Sequence, residues 1–203
     1  MTQETRLTYL ILGVVIGFLV TSAVAIVYIH WWRPSEIESY VFSRSKNLLS
    51  QAEAAGRSDT LVLGDSIVEG NSLTDLCGTT FAAGIGGGNV ADLAKIAPDL
   101  IAATRPSRIV VALGTNDVLQ RKAEGQAFEK RYLSLLATLP VKPFALVGVL
   151  NGPNEFIKRT AASIGAGYVP PIPASMTKDG IHPTLPGLKL WRDRVAHFCQ
   201  VSR

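Results

Sequence analysis

Residues 60–66 read TLVLGDS, a short apolar run that ends in glycine, aspartate and serine. Similar runs recur further along the chain, at 79–83 (TTFAA), 108–113 (RIVVAL) and 144–149 (FALVGV), and a weaker one stands at 167–169. The stretches between them carry apolar residues at helical spacing, at 89–103, 123–139, 154–164 and 185–201. Strands that alternate with helices in this way predict a five-stranded parallel sheet that is covered by helices on both faces.

The composition limits the kinds of protein that this chain can be. With 203 residues, it has the length of one domain with an appendage. Its 47% hydrophobic and 18% charged residues argue against a disordered chain, and its glycines follow no collagen-like period. The net charge of +4 comes from Lys and Arg residues that are spread along the sequence rather than clustered. We therefore expect no nucleic-acid binding, which normally needs a clustered basic face.

Residues 7–29, LTYLILGVVIGFLVTSAVAIVYI, contain no charged side chain. At about 1.5 Å per residue, a helix of this length crosses a hydrocarbon core of about 30 Å. Tyr9 and Trp31 stand near its two ends, where aromatic residues favour the membrane interfaces. The rival interpretation is a cleaved signal peptide, because residues 23–25 have the A-x-A form. Apolar residues continue to Ile29, which favours an uncleaved single-pass anchor.

The sequence thus predicts three segments. Residues 1–33 form an N-terminal tail and a transmembrane helix, 34–58 a helical linker, and 59–203 the globular domain. The basic residues on the C-terminal flank of the apolar stretch weakly favour a cytoplasmic domain. A long domain can nevertheless be exported whatever its charge, and we expect the globular domain on the outer side, which is the periplasm in a Gram-negative cell.

Polar turns follow three of the predicted strands, and in open α/β sheets ligands bind beyond the carboxyl ends of the strands. The turns are Gly64–Ser66, Gly84–Asn89 and Gly114–Asp117. A fourth polar segment, Asp179–Pro183, precedes the last helix. We expect the first three turns to crowd one edge of the sheet.

The residue types in these turns suit nucleophilic catalysis. Ser66 stands at a strand-to-helix turn, and a serine hydroxyl needs an adjacent base to act as a nucleophile. His182 is the histidine available for that role, and Asp179 is placed to orient its ring. The backbone N–H groups of Ser66 and Gly87 and the side-chain amide of Asn116 are suitable donors to a developing oxyanion.

With these four segments, the chain resembles the SGNH, or GDSL-type, hydrolases. That family has Gly-Asp-Ser near its start, a glycine after the second strand, Gly-x-Asn-Asp, and Asp-x-x-His near its end; here the segments occur in that order from about Leu61 onward. The resemblance implies a flavodoxin-like three-layer α/β/α sandwich and ester hydrolysis without a metal or cofactor. It implies Ser66 as nucleophile, His182 as base, Asp179 as the third member, and Ser66, Gly87 and Asn116 as the oxyanion hole.

The second motif departs from the family pattern. Residues 82–83 are both alanine, at a place where the family often has an asparagine. The glycine run leaves Gly86, Gly87 and Gly88 as alternatives for the oxyanion-hole donor. Gly87 is the choice when the run is aligned on the small-x-x-Gly turn of the family.

Several of these residues also have non-catalytic interpretations. The run 84–88 is a possible phosphate cradle, but it is not G-x-G-x-x-G and follows the second strand rather than the first. Asp65 and Asp117 are expected to brace turns by accepting backbone N–H groups. Trp191 is expected in the core, and the spacing of His197 suggests no metal site.

Cys77 and Cys199 are the only cysteines of the sequence. An oxidising compartment would permit a disulfide between them. In a flavodoxin-like winding, the first and last helices lie on the same face of the sheet, which makes pairing possible. Two buried free thiols are the alternative.

Short loops around the predicted site favour a shallow, open cleft. We therefore expect an esterase that removes acetyl or another short acyl group from an envelope or extracellular glycan. The alternatives are a lysophospholipase or thioesterase that acts on longer acyl chains, and acyl transfer to a sugar. The alternative outside the enzymes is a non-catalytic, membrane-anchored scaffold protein. The expected partners are an acylated carbohydrate or lipid and, through residues 7–29, a membrane.

Overall fold

The computed structural model describes residues 3–28, 35–71, 73, 76–120, 125–140 and 144–201. The chain divides into two compact units, Met1–Ser39 and Tyr40–Arg203. The first unit contains helix α1, Gln3–Val27. Its segment Thr8–Val27 is, by length and composition, a helix that can cross a membrane. The predicted helix is therefore present, while Ile29 and Trp31 lie outside the described residues.

The second unit is built on a five-stranded parallel sheet, as predicted. Its strands are β1 (Thr60–Gly64), β2 (Thr80–Gly84), β3 (Arg108–Ala112), β4 (Ala145–Val147) and β5 (Gly167–Val169). Their order is β2-β1-β3-β4-β5, and every neighbouring pair is parallel. This is the flavodoxin-like winding, in which β1 and β3 flank the switch point where ligands bind.

The helices follow the predicted alternation, with three short additions. The helices of the second unit are α2 (Glu36–Ala55, which begins in the first unit), α3 (Ser66–Glu69), α4 (Val90–Thr104), α5 (Thr115–Leu119), α6 (Gly125–Thr138), α7 (Asn154–Ile164) and α8 (Leu185–Val201). A 3₁₀ turn covers Ala174–Met176. Helices α3 and α5 and the 3₁₀ turn were not predicted, because segments of three to five residues are too short for apolar periodicity.

Two apolar clusters cover the two faces of the sheet. Strand residues alternate between them: Leu61 and Leu63 pack with helices α4, α6 and α7, while Val62 packs with α8. Such alternation follows from the period of two in a strand. The result is the three-layer α/β/α sandwich that the resemblance implies, with both faces of β1 buried.

Helix α2 lies on the core of the second unit. Val41, Leu48 and Ala52 are buried and belong to the cluster under α4. The helix stops before Gly56, whose positive φ of 66° is a left-handed conformation that glycine adopts without strain. The segment that the sequence predicts as a linker thus contributes to the hydrophobic core.

Cys77 lies in the cluster on the α8 face, as the predicted winding requires. It is disulfide-bonded. The side chain of Cys199, the other cysteine of the sequence, lies outside the described residues.

Candidate active site

The register of the sheet brings the polar turns together. Gly64, at the end of β1, is paired with Gly84 on one side and with Ala112 on the other. The turns that follow these three residues therefore emerge side by side at the carboxyl edge of the sheet. Because the chain turns tightly into α3, Val68 lies against Gly64 and leaves no room there for a Cβ.

Ser66, His182 and Asp179 form a continuous hydrogen-bonded chain. Ser66 is the first residue of α3. Its Oγ lies 3.0 Å from His182 Nε2, and His182 Nδ1 lies 2.7 Å from Asp179 Oδ2. The side chains of His182 and Asp179 are about half exposed. A serine, an imidazole and a carboxylate in this order can transfer the serine proton to the ring while the carboxylate stabilises the charged ring.

The turn before α8 holds the imidazole in place. Asp179 Oδ1 accepts the backbone N–H groups of Ile181, at 3.0 Å, and His182, at 2.7 Å. The Lys178 N–H donates to the His182 carbonyl at 2.8 Å and closes the turn. Gly180, with a φ of 83°, provides the left-handed residue that the turn needs. Asp179 thus orients both the ring and the backbone of His182.

The Asp179 carboxyl is expected to stay ionised down to about pH 2. Its hydrogen bond with the His182 side chain is the largest cause that lowers its pKa from 3.8 to about 2. Because the folded-state pKa is depressed, the interaction stabilises the folded chain above pH 3.8 and is lost as the pH falls toward 2. Carbon-13 NMR of the labelled carboxyl measures the midpoint. His182→Ala should raise this midpoint, and an unchanged midpoint would contradict the contact.

The glycine turn after β2 faces the serine. A Cβ on Gly86 would lie 3.9 Å from Ser66 Cβ, and Gly87 is left-handed, with a φ of 73°. The Gly86 N–H donates to Glu69 Oε2 and the Gly88 N–H to the Ile85 carbonyl. Among the described residues, no acceptor binds the Gly87 N–H.

Asn116 is oriented toward this glycine turn. Its Nδ2 donates to the Gly88 carbonyl at 2.8 Å, and the residue is 8% exposed. An amide nitrogen has two hydrogens, so this bond fixes the plane of the side chain and leaves a second donor for a substrate oxygen.

Asp65 and Asp117 brace the turns, as predicted. Asp65 accepts the Ile67 N–H at 3.0 Å and also hydrogen-bonds Thr115 in the third turn. Asp117 accepts the Val90 N–H, at the start of α4, at 3.0 Å. Burial raises the pKa of both carboxyls, and these hydrogen bonds oppose the rise. The buried Asp65 therefore connects the first turn to the third, and the buried Asp117 connects the third turn to the start of α4, after the second turn.

A cavity of about 110 Å³ is lined in part by residues that flank Ser66 and His182 in the sequence. Its lining is mainly apolar and includes Ile67, Val118, Val149, Ile172, Ile181 and Trp191. Ile67 follows Ser66 in the chain and Ile181 precedes His182, whereas Ser66, Asp179 and His182 are not among the residues that line the cavity. Trp191 is 4% exposed and belongs to the core, as predicted, and it also forms part of the cavity wall.

Sequence reasoning missed one carboxylate at this site. Glu69, three residues after Ser66 on α3, binds Gly86, Tyr40 and Arg44. Its helical spacing from Ser66 is the only signal in the sequence. Among the described residues, no group of three or more His, Cys, Asp or Glu is placed to hold a metal ion.

The chain has the α/β fold that is found in solved structures of GDSL-like hydrolases. Three solved structures illustrate the likeness. The first is a GDSL-like lipase from Bacteroides thetaiotaomicron, with a TM-score of 0.62, 18% identity, and coverage of 80% of this chain and 100% of that one.

The second is a catalytic mutant of an acetylxylan esterase from Geobacillus stearothermophilus, with a TM-score of 0.60, 17% identity, and coverage of 71% of this chain and 95% of that one. The third is a two-domain esterase active on acetylated mannans, with a TM-score of 0.57, 20% identity, and coverage of 78% of this chain and 52% of that one. No protein-family model and no curated protein matches the sequence. At these identities, the likeness establishes the fold.

Proposed function

We propose that the chain is a serine ester hydrolase that works through an acyl-enzyme. The observation that carries this proposal is the chain of contacts from Ser66 Oγ to His182 Nε2, 3.0 Å, and from His182 Nδ1 to Asp179, 2.7 Å. Ser66 Oγ attacks the acyl carbonyl carbon while His182 takes the hydroxyl proton. The tetrahedral intermediate expels the alcohol, which receives that proton from His182. A water molecule then attacks the acyl-enzyme by the same route and frees the acid and Ser66.

The oxyanion of each tetrahedral intermediate is held by the N–H groups of Ser66 and Gly87 and by the Asn116 amide. Gly87 is favoured over Gly86 because the Gly86 N–H already binds Glu69. Gly88 is disfavoured because its N–H donates to the Ile85 carbonyl. Donors that are fixed in advance stabilise the developing charge without reorganising, which is the largest contribution in many acyl-transfer enzymes.

The substrate proposed for this site is a short acyl ester, in particular an acetyl group on an envelope or extracellular glycan. The cavity of about 110 Å³ is small. Pockets for drug-sized ligands typically have about 300–1,000 Å³, so a cavity of this volume favours a small acyl group over a long acyl chain. Two of the similar structures are an acetylxylan esterase and an esterase active on acetylated mannans, which supports the same substrate class.

We place the protein in a membrane through α1, with the hydrolase domain on the oxidising side. The apolar segment Thr8–Val27 supports the anchor, and the disulfide-bonded state of Cys77 supports the oxidising compartment. Reaction of Cys77 with an alkylating reagent in the unreduced, exported protein would contradict this placement.

The test uses the full chain in detergent and p-nitrophenyl esters of acetate, butyrate, octanoate and palmitate. We expect kcat/KM to be highest for acetate or butyrate and at least about tenfold lower for octanoate. If the site bound long chains, each buried methylene would contribute about 0.8 kcal/mol and kcat/KM would rise with chain length. Such a rise would instead support a lysophospholipase or thioesterase.

The rate of the Ser66→Ala variant measures the background hydrolysis of each ester and is subtracted from the wild-type rate. If the wild-type protein turns over none of these esters in a Ser66-dependent way, hydrolysis is contradicted. An acyltransferase or a non-catalytic scaffold on the same fold would then be the better description.

A further inference from the structure

Glu69 connects three parts of the second unit. It ends α3, one helical turn after Ser66. Its Oε2 accepts the Gly86 N–H at 2.5 Å, while its Oε1 accepts the Tyr40 hydroxyl and the Arg44 Nε, each at 2.7 Å. The side chains of Arg44 and Glu69 are only about one-fifth exposed. The carboxylate thus binds the glycine turn with one oxygen and helix α2 with the other.

The backbone around Glu69 is equally constrained. A Cβ on Gly84 would lie 2.1 Å from the Glu69 nitrogen, so the end of β2 contacts α3 directly. The Arg44 Nε also donates to the Gly84 carbonyl at 3.2 Å. Arg44 and Glu69 therefore fix the glycine turn at its first residue, Gly84, and at its third, Gly86.

We propose that Glu69 is a positioning residue that aims the Gly87 N–H at the substrate oxyanion, and that Tyr40 and Arg44 of α2 hold its carboxylate in place. The hydrogen bond from the Gly86 N–H to Glu69 fixes the peptide plane between Ile85 and Gly86, which immediately precedes the plane that carries the Gly87 N–H. The left-handed φ of Gly87, 73°, then turns the chain away after that N–H. This inference rests on the proposed ester hydrolase function. It makes helix α2 a support of the oxyanion hole rather than a simple linker.

The alternative is that Glu69 only stabilises the fold through its ion pair with Arg44. The two roles make different demands on the side chain. Positioning requires an acceptor that reaches Gly86, which Gln retains and the shorter Asp does not. An ion pair requires the negative charge, which Asp retains and Gln does not.

The experiment compares Glu69→Ala, Glu69→Gln and Glu69→Asp in the full chain in detergent, with Glu53→Ala as the matched control. Glu53 is an exposed carboxylate on α2. The measurements are kcat and KM for the best short-chain ester, and the rate at which a fluorophosphonate modifies Ser66. That modification also places an oxygen in the oxyanion hole, so it reports on the same donors.

We expect Glu69→Ala to lower kcat by about 10- to 100-fold and to leave KM within about threefold, because misplaced donors act on the transition state. The phosphonylation rate should fall in parallel. Glu69→Gln should stay within about tenfold of the wild-type kcat, Glu69→Asp should resemble Glu69→Ala, and Glu53→Ala should match the wild type. A kcat within about twofold of wild type for Glu69→Ala, or a higher kcat for Asp than for Gln, would overturn the inference.

Arg44→Met keeps the test decisive if Glu69→Ala does not fold. It leaves the bond between Glu69 and Gly86 but removes the guanidinium that anchors the carboxylate, and should lower kcat by about three- to tenfold at unchanged KM. An unchanged kcat in folded Arg44→Met would overturn the role given to α2. Failure of the proposed function itself is distinct, because the wild-type protein would then show no Ser66-dependent turnover.

Discussion

Ser66→Ala is expected to lower kcat for ester hydrolysis by about 10⁴- to 10⁶-fold, and His182→Ala by a similar factor. The serine oxygen and the imidazole nitrogen lie 3.0 Å apart and act as one unit, since neither forms the acyl-enzyme without the other. The double variant should therefore be no slower than the slower single variant. The measurement is kcat on p-nitrophenyl acetate, with a thermal unfolding curve for each variant.

His197→Ala is the matched control for the histidine. His197 is exposed on α8, where its ring packs edge-on against Phe198. This variant should keep the wild-type kcat. If the effects of Ser66→Ala and His182→Ala instead multiply in the double variant, the two side chains act independently, and the catalytic chain proposed here is wrong.

Asn116→Ala is expected to lower kcat by about 10²- to 10³-fold with little change in KM, since an oxyanion donor is used in the transition state and not in the ground state. Asn116→Asp keeps the shape of the side chain but places a carboxylate beside the developing negative charge. Its kcat should fall at least as far. Steady-state kinetics on p-nitrophenyl acetate measures both variants.

Loss of the Asn116–Gly88 hydrogen bond also affects stability, and a net contribution of about 1 kcal/mol is typical for such a bond. Unfolding curves separate this small loss from the kinetic effect. A raised KM with an unchanged kcat would show that Asn116 binds the substrate in its ground state, which contradicts its place in the oxyanion hole.

Much of the fold can be predicted because short apolar runs alternate with stretches of helical spacing, and glycine directly follows three of the runs. The strand 167–169 and the helices 154–164 and 185–201 have the predicted bounds. The predicted strands 108–113 and 144–149 are too long, since β3 ends at Ala112 and β4 at Val147. Leu113 and Val149 are buried all the same. An apolar pattern reports burial, and burial continues into the loops beyond the last paired residue.

The triad was predictable for a different reason. Asp179 and His182 are three residues apart in one turn, and Ser66 follows the first strand. Short stretches of sequence are therefore enough to predict most of the triad. The surroundings of Glu69 depend instead on which helix meets which turn. The apolar spacing of α2 predicts that Val41 and its neighbours are buried, but it does not reveal that Arg44 reaches the end of β2.

The most direct test of the account is the intact mass of the full chain after treatment with a fluorophosphonate, followed by peptide mapping. An activated serine predicts one phosphonyl adduct, on the peptide that contains Ser66. The adduct should be absent from Ser66→Ala and strongly reduced in His182→Ala. No adduct on the folded wild-type protein, or an adduct that forms equally fast in His182→Ala, would contradict a hydrolase built on Ser66 and His182.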